Sequence, residues 1–427
     1  MFKKNSTFFI LFLFYISTFG QEKTPPKREF RAVWISSVVN LDFPSTKNLN
    51  ATQQQKEFSR ILDEHQKNRI NAVIVQIRPA GDALYPSSLV PWSEWLSDKQ
   101  GQMPQPYYDP LSFMIEEAHK RGMEFHAWFN PFRAAFNISK IENLSEKNIY
   151  HKQKDWFVNY GNQAVFNPGV PEVREHIVEV ISEVVMRYDI DAVHLDDYFY
   201  PYPNSKNGDF MDSLAFNTYR DGTLVQYDSL ERIQHWRRNN INSFVRTLSE
   251  EIKNIKPYVK FGISPFGVWR NQSQDPKGSQ TNASMSCYDE LYADTKLWLE
   301  KGWLDYLAPQ IYFSRGYEVV PYGNLLDWWA KNSFSKHIYV GQAAYKIDNN
   351  HDKNWENPTE IPEQIRLNRT YSEAKGSIFF RSRLLNDNPL HIQDSLRTNL
   401  YRFPALVPKM EWLDNVAPTS PKNVLVF

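Results

Sequence analysis

A single cysteine, Cys287, in 427 residues rules out an internal disulfide, so stability has to come from a core. Charge of one sign is also missing. Lys plus Arg total 49 and Asp plus Glu total 49, so no long-range field draws nucleic acid or an anionic membrane to the chain. No His pair has metalloenzyme spacing, no Gly-rich phosphate loop occurs, and Gly-Xaa-Ser-Xaa-Gly is absent. These gaps argue against a metal-dependent deacetylase and a serine hydrolase, and neither a metal nor another cofactor is expected. Internal repeats and long low-complexity tracts are missing too. The apolar run Phe8 to Ile16 is too short to span a bilayer comfortably.

That run reads instead as part of a signal peptide over residues 1–20. Lys3 and Lys4 form a positive n-region, and Thr18-Phe19-Gly20 puts small residues where cleavage before Gln21 needs them. No Cys lies near that point, which disfavours a lipid anchor. The protein is therefore expected to be exported, whether periplasmic, envelope-associated or secreted, with no transmembrane anchor after cleavage.

Aromatics are abundant, at 15% with 13 Trp and 23 Tyr. Ordinary cores use aromatics as well, but Trp and Tyr each carry a polar atom that needs a partner. The excess fits a cleft that stacks flat ligands such as sugar rings.

Strand-like runs alternate with helical ones, the pattern of a parallel sheet built from βα units. Strands are expected at Arg31–Ser36, Ala72–Ile77, Glu124–Phe129, Ala192–Asp196, Lys260–Ser264, Tyr306–Ile311, His337–Gln342 and Ser377–Arg381. Eight such strands close into a (β/α)8 TIM barrel, placed over residues 28–405. Helices are expected from Pro110 to before Gly122, from Pro171, over Ser229–Ile255, Tyr288–Glu300, Leu325–Ala330 and Asp387–Leu400. Residues 406–427 turn Pro-rich and look like a linker entering the first strand of a fibronectin type III-like domain.

Alternation along a strand then sorts side chains between the helix-facing side and the barrel axis. Trp34 and Ser36, Gln76 and Arg78, His126, Trp128 and Asn130, His194 and Asp196, and Ala308, Gln310 and Tyr312 fall inside. Gln342 shares parity with the apolar Ile338 and Val340, so its direction stays open. Polar inward residues near strand ends matter because barrel active sites lie at the C-terminal face.

Glycoside hydrolysis needs two carboxyl groups. Asp196 and Asp197 close the fourth strand, and two adjacent acids at a barrel mouth are costly to desolvate without a purpose. Adjacent residues point to different sides, so one is expected to do chemistry while the other orients it or binds a hydroxyl. Candidates for a further carboxylate are Asp209 and Asp212 in the following loop, and Asp82 after the second strand. Glu94 between Trp92 and Trp95, and Asp289, Glu290 and Asp294 after the fifth strand, complete the set.

Longer stretches carry a family resemblance. Phe30-Arg31-Ala32-Val33-Trp34, Gln76-Ile77-Arg78-Pro79-Ala80-Gly81-Asp82, Ala127-Trp128-Phe129-Asn130-Pro131, His194-Leu195-Asp196-Asp197-Tyr198, Ser264-Pro265-Phe266-Gly267-Val268-Trp269-Arg270 and Ala308-Pro309-Gln310-Ile311-Tyr312 resemble the bacterial glycosyl-hydrolase-like family ten proteins. The resemblance runs from about Glu29 to about Asn386. It implies a (β/α)8 barrel, an exported home and activity on glycan strands, with peptidoglycan glycan the best-supported substrate. It implies Asp196 and Asp197 as active-site acids. Some relatives carry a Glu a few residues beyond the pair. Tyr200-Pro201-Tyr202-Pro203-Asn204-Ser205 has none, which leaves the proton donor open, with Asp209 as a substitute. Trp34, Gln76, Arg78, Asp82, Trp128, Asn130, His194, Tyr198, Trp269, Arg270, Gln310 and Tyr312 would bind the sugar.

The leading expectation is an exported glycosidase acting on a polysaccharide or on peptidoglycan glycan. A non-catalytic carbohydrate-binding barrel is the alternative. An isomerase or aldolase barrel would need an inward Lys, and only Lys346 after the seventh strand comes near.

Overall fold

In the computed structural model the described residues are 25–220, 222 and 229–416. The expected signal peptide and the tail beyond 416 lie outside them.

Eight parallel strands close the barrel: β1 (Phe30–Ile35), β2 (Ala72–Arg78), β3 (Glu124–Phe129), β7 (Ala192–Leu195), β8 (Lys260–Ile263), β9 (Tyr306–Leu307), β10 (His337–Gln342) and β11 (Ala374–Phe379). All eight expected strands are present, and the fold is a (β/α)8 TIM barrel. A small antiparallel sheet of β4 (Arg133–Ala135), β5 (Phe157–Tyr160) and β6 (Gln163–Phe166) is inserted after β3. Its hairpin turns on Gly161 and Asn162, with Gly161 at φ 58, where a glycine relieves the left-handed strain.

Helix signals hold where capping chemistry is explicit. Asp109 caps Pro110–Lys120 by accepting from the Leu111 and Ser112 amides. Pro171–Arg187 and Ser229–Ile255 also form. The expected Tyr288–Glu300 helix shrinks to Thr295–Glu300, because the Asp294 carboxylate caps Leu297 and starts the helix there. The expected Asp387–Leu400 helix breaks into short turns around Asn388, Leu390 and His391, all with positive φ. Helix Ala51–Lys67 closes a capping box on Asn50 and Gln53.

Strand parity sorts the core as physics requires. Val33, Val73, Phe125, Val193, Phe261 and Val340 face the helices. Phe30, Ala32, Trp34, Ile74, Trp128, Ala192, Tyr306 and Tyr339 fill the axis. Gln342 points outward, where its amide donates to Gln364 on helix Glu360–Asn368.

The axis also holds a directed chain of polar groups. Trp34 Nε1 donates to His194 Nε2 (3.2 Å), His194 Nδ1 meets the Tyr306 hydroxyl (2.9 Å), and that hydroxyl meets His126 Nδ1 (2.9 Å). His126 Nε2 reaches Glu124 (3.1 Å), which is paired with Lys260. An indole N–H can only donate, so His194 accepts on Nε2 and carries its proton on Nδ1. Tyr306 must then receive from His194 and donate to His126, whose own proton goes to Glu124. Burial holds His194 well below the usual histidine range, consistent with this neutral form. Gly262 makes room for the linking ring, since a Cβ there would lie 2.0 Å from Tyr306 Cζ.

The C-terminal segment closes the barrel floor. Glu29 donates its amide to the Leu406 carbonyl (2.9 Å), Met410 is buried in the axial cluster, and Trp412 Nε1 donates to Asp305 (2.8 Å). Residues 406–413 thus pack under the barrel.

The Tyr306→Phe variant strands two buried imidazole nitrogens. It should lose roughly 2–4 kcal/mol of stability, read as a lower urea midpoint with an unchanged slope. A midpoint within error of wild type would contradict the directed chain.

Candidate active site

All eight barrel strands send residues into one cavity of about 450 Å³ at their C-terminal ends. Trp34 and Ser36 come from the first strand and its exit, Gln76 from the second and Trp128 from the third. Asp196 and Asp197 follow β7, Ser264 follows β8, and Gln310 and Tyr312 follow β9. Tyr345 and Lys346 follow β10, and Phe380 follows β11. The Lys346 ammonium donates to the Tyr312 carbonyl (2.6 Å). It braces the wall and is not presented as a free amine.

The two carboxyl groups are held differently. Asp196 Oδ2 accepts from Trp128 Nε1 (3.0 Å) and Asn130 Nδ2 (3.1 Å), and its Oδ1 accepts weakly from the Tyr198 amide (3.4 Å). Asp197 accepts from the Tyr202 hydroxyl. Each Asp is only 4% exposed. Burial pushes Asp196 up to about 7, and the neighbouring Asp197 charge adds to the shift against the pull of Arg133 and Trp128. Burial likewise raises Asp197 to about 6, with the Tyr202 hydroxyl opposing.

Of the residues expected from sequence, Trp34, Gln76, Trp128, Asp196, Asp197, Tyr198, Gln310 and Tyr312 line the cavity. Asn130 and His194 stand behind it, one bracing Asp196 and the other Trp34. Gln76 shapes the rim: its Oε1 accepts from Ser36, Ser37 and Val38.

The other candidates lie elsewhere. A register shift between Gln76 and Arg78 turns Arg78 out of alternation, and its guanidinium donates to the Asn130 (2.6 Å) and Pro131 (3.1 Å) carbonyls. Asp82 sits in a separate polar recess with Gln100 and Glu94, where burial raises it to about 6. Trp269 stacks on Trp328 at 5.6 Å, and Arg270 pairs with Asp289 and Asp275. Asp209 is exposed and does not line the cavity. Asp212 is buried against Arg237, Asp294 caps a helix, and Glu290 accepts from Ser286, so each has a structural task.

Arg133 and Tyr202 were not expected from sequence. Both lie beyond the ends of the barrel strands, where the barrel's alternation gives no direction. Arg133 places its guanidinium 4.7 Å from the Tyr198 ring centre and lowers both acids. The local signal was the Gly161-Asn162 turn between two apolar-rich runs, which marks the hairpin behind Arg133.

The sequence profile described as "Glycosyl hydrolase-like 10" matches residues 29–357. The chain belongs to this family. The match spans the first seven barrel strands and stops short of the last. The chain is 51% identical to the glycosyl hydrolase YngK of Bacillus subtilis (strain 168) over 415 residues, 97% of this chain and 80% of the relative. It is 39% identical to the glycosyl hydrolase DigH of Escherichia coli (strain K12) over 379 residues, 83% of each. Among solved structures, the PgaB (BpsB) glycoside hydrolase domain of Bordetella bronchiseptica superposes with a TM-score of 0.55 at 12% identity. It covers 86% of this chain and 98% of that one, and at that identity the likeness concerns the fold.

For this glycosyl hydrolase-like 10 chain, the buried acids make a stability prediction. Asp196 is raised above its unfolded value, so between about pH 4 and 7 the folded state binds more protons than the unfolded one. Stability from this group is therefore lost as pH rises through that window. Asp196→Asn removes the penalty. The variant's Tm relative to wild type should climb from near zero at pH 4 to a gain worth on the order of 3 kcal/mol at pH 8. A difference independent of pH would mean an ordinary, hydrated carboxyl.

Proposed function

We propose that the chain is an exported glycoside hydrolase that cleaves O-glycosidic bonds in a polysaccharide, with peptidoglycan glycan strands its substrate and Asp196 and Asp197 its working acids. The observation that carries the reading is the pair itself: two adjacent, buried carboxyls raised to about 7 and about 6 on the wall of an aromatic-lined cavity. The names of the family and of its relatives support the reaction class. Lys3, Lys4 and the apolar run beyond them support export.

Two close carboxyls do not titrate independently, so between about pH 6 and 7 the pair holds one proton. The protonated member gives that proton to the leaving glycosidic oxygen. The charged member stabilises the positive charge that builds at the anomeric carbon, and a water molecule adds there, giving its proton back to a carboxylate so that the pair again holds one proton. Trp128, Asn130 and Tyr202 keep the two groups oriented, so little reorganisation accompanies the reaction. Trp34, Trp128, Tyr312 and Phe380 supply flat faces for the sugar.

One observation favours the alternative of a carbohydrate-binding barrel: among the described residues lining the main cavity, the acids are Asp196 and Asp197 alone. Sugar release from denuded peptidoglycan and a polysaccharide panel separates the two readings. A hydrolase gives soluble products, and Asp196→Asn or Asp197→Asn lowers kcat by about 10²–10⁴-fold. Binding without products from any substrate would establish the binding barrel.

The pH profile is a second test. Below about pH 6 both acids are protonated and the charged member is lost; above about 7 no proton remains to give. The kcat/KM profile should be a narrow bell centred between those values. A plateau from pH 4 to 8 would remove the shared-proton mechanism.

A further inference from the structure

A second cavity, of about 250 Å³, opens directly beside the main one. Arg133, Tyr198 and Tyr202 line both, so the two are neighbouring compartments of one cleft. The shared wall is also chemically connected to the acids, because the Tyr202 hydroxyl bonds Asp197. A ligand crossing from one compartment to the other therefore passes the carboxyl pair.

Beside Arg133, two segments distant in sequence build most of the second compartment. The β5–β6 hairpin brings Tyr160, Asn162 and Gln163, and the loop after β7 brings Asn204 and Asn207. The segments are locked together. The Asn204 amide donates to the Tyr160 hydroxyl (3.0 Å), and a Cβ on Gly161 would lie 2.5 Å from Asn207 Nδ2. The tip requires glycine for its positive φ, and the Asn207 side chain packs against it.

The lining chemistry is specific in kind. Side-chain amides each offer a donor pair and an acceptor, which matches hydroxyl groups that both donate and accept. Tyr160, Tyr198 and Tyr202 offer ring faces, and Tyr198 is 39% exposed. Among the described residues no carboxylate lines this compartment, and the cation that does, Arg133, sits over the Tyr198 ring. A phosphate or polyanion site would need several donors of positive charge, and a lipid site would lack the amides.

We propose that this second compartment is a sugar-binding subsite that holds the neighbouring unit of the same glycan chain, so that the bond to be cut lies across the wall formed by Tyr198 and Tyr202. The proposal rests on the glycan reading of the main cavity. It makes the protein a reader of chains, not of single sugars. The inserted hairpin is the element that sets how much chain is gripped.

The test measures binding and turnover separately. Calorimetry on the Asp196→Asn protein uses β-1,4-linked N-acetylglucosamine and glucose oligomers of one to six units, so binding is read without cleavage. Affinity should rise by about tenfold or more with length until both compartments are filled, then level off. Adding Asn162→Ala or Asn207→Ala should remove about fivefold of the long-chain affinity and flatten the rise. These substitutions sit on opposite segments, so agreement between them excludes collapse of one loop. Affinity that is independent of length, equal weakening at every length, or no binding of any oligomer would overturn the subsite. Turnover by the wild-type protein on the same oligomers reports on the hydrolase reading alone. Length-dependent binding without products would remove that reading and leave the subsite standing.

Discussion

Desolvation of two adjacent carboxyl groups is the constraint around which the upper half of this barrel is organised. Water would hold Asp196 and Asp197 near their ordinary values, and the burial that raises them outweighs the hydrogen bonds that oppose it. Leaving such groups without partners would cost several kcal/mol. The surroundings therefore supply donors that are themselves fixed. Trp128 and Asn130 come from the third strand and its exit, and Asn130 is in turn held by the Arg133 amide (3.0 Å). Arg133 is placed to temper the charge of the pair without forming a salt bridge to either acid, and a direct ion pair would have removed the proton that the proposed chemistry needs.

The lower half answers a different problem, filling an axis with side chains that carry polar atoms. The chain from Trp34 through His194, Tyr306 and His126 to Glu124 satisfies each polar group in one direction only. It reaches the cavity through the indole of Trp34, so the floor of the candidate site is anchored to the opposite end of the barrel. Met410 and Trp412 then cover that end. Inward histidines in a barrel invite a metal reading, but here each ring nitrogen of His126 and His194 already has a protein partner.

The second compartment belongs to neither half but to the segments inserted beyond the barrel strand ends. The hairpin after β3 and the loop after β7 are far apart in sequence, yet they meet at Gly161 and Asn207. Residues from both line the second compartment, and Tyr198 and Tyr202 of the loop after β7 stand in the dividing wall. Barrels that differ only in such insertions share a fold and differ in the ligand they grip.

Sequence alone determined the barrel, because strands buried on both faces of a closed parallel sheet read as short, mostly apolar runs such as Ala72–Arg78 and Ala192–Leu195, separated by helix-length segments, while the parity of Gln76 and His194 marks the inward face. The same alternation pointed Trp34, Trp128, His194 and Asp196 at the axis. It failed at Arg78, where a register shift broke the alternation, and it had no purchase on Arg133, Tyr202 or Asp209, which lie beyond the barrel strands. Motif proximity also misled at Trp269 and Arg270, whose partners Trp328 and Asp289 are set by packing between distant segments. Only the tertiary structure decided which acids share a cavity and how far their proton affinities rise. Desolvation and the approach of a like charge depend on everything that packs around a group, and no local stretch of chain contains that information.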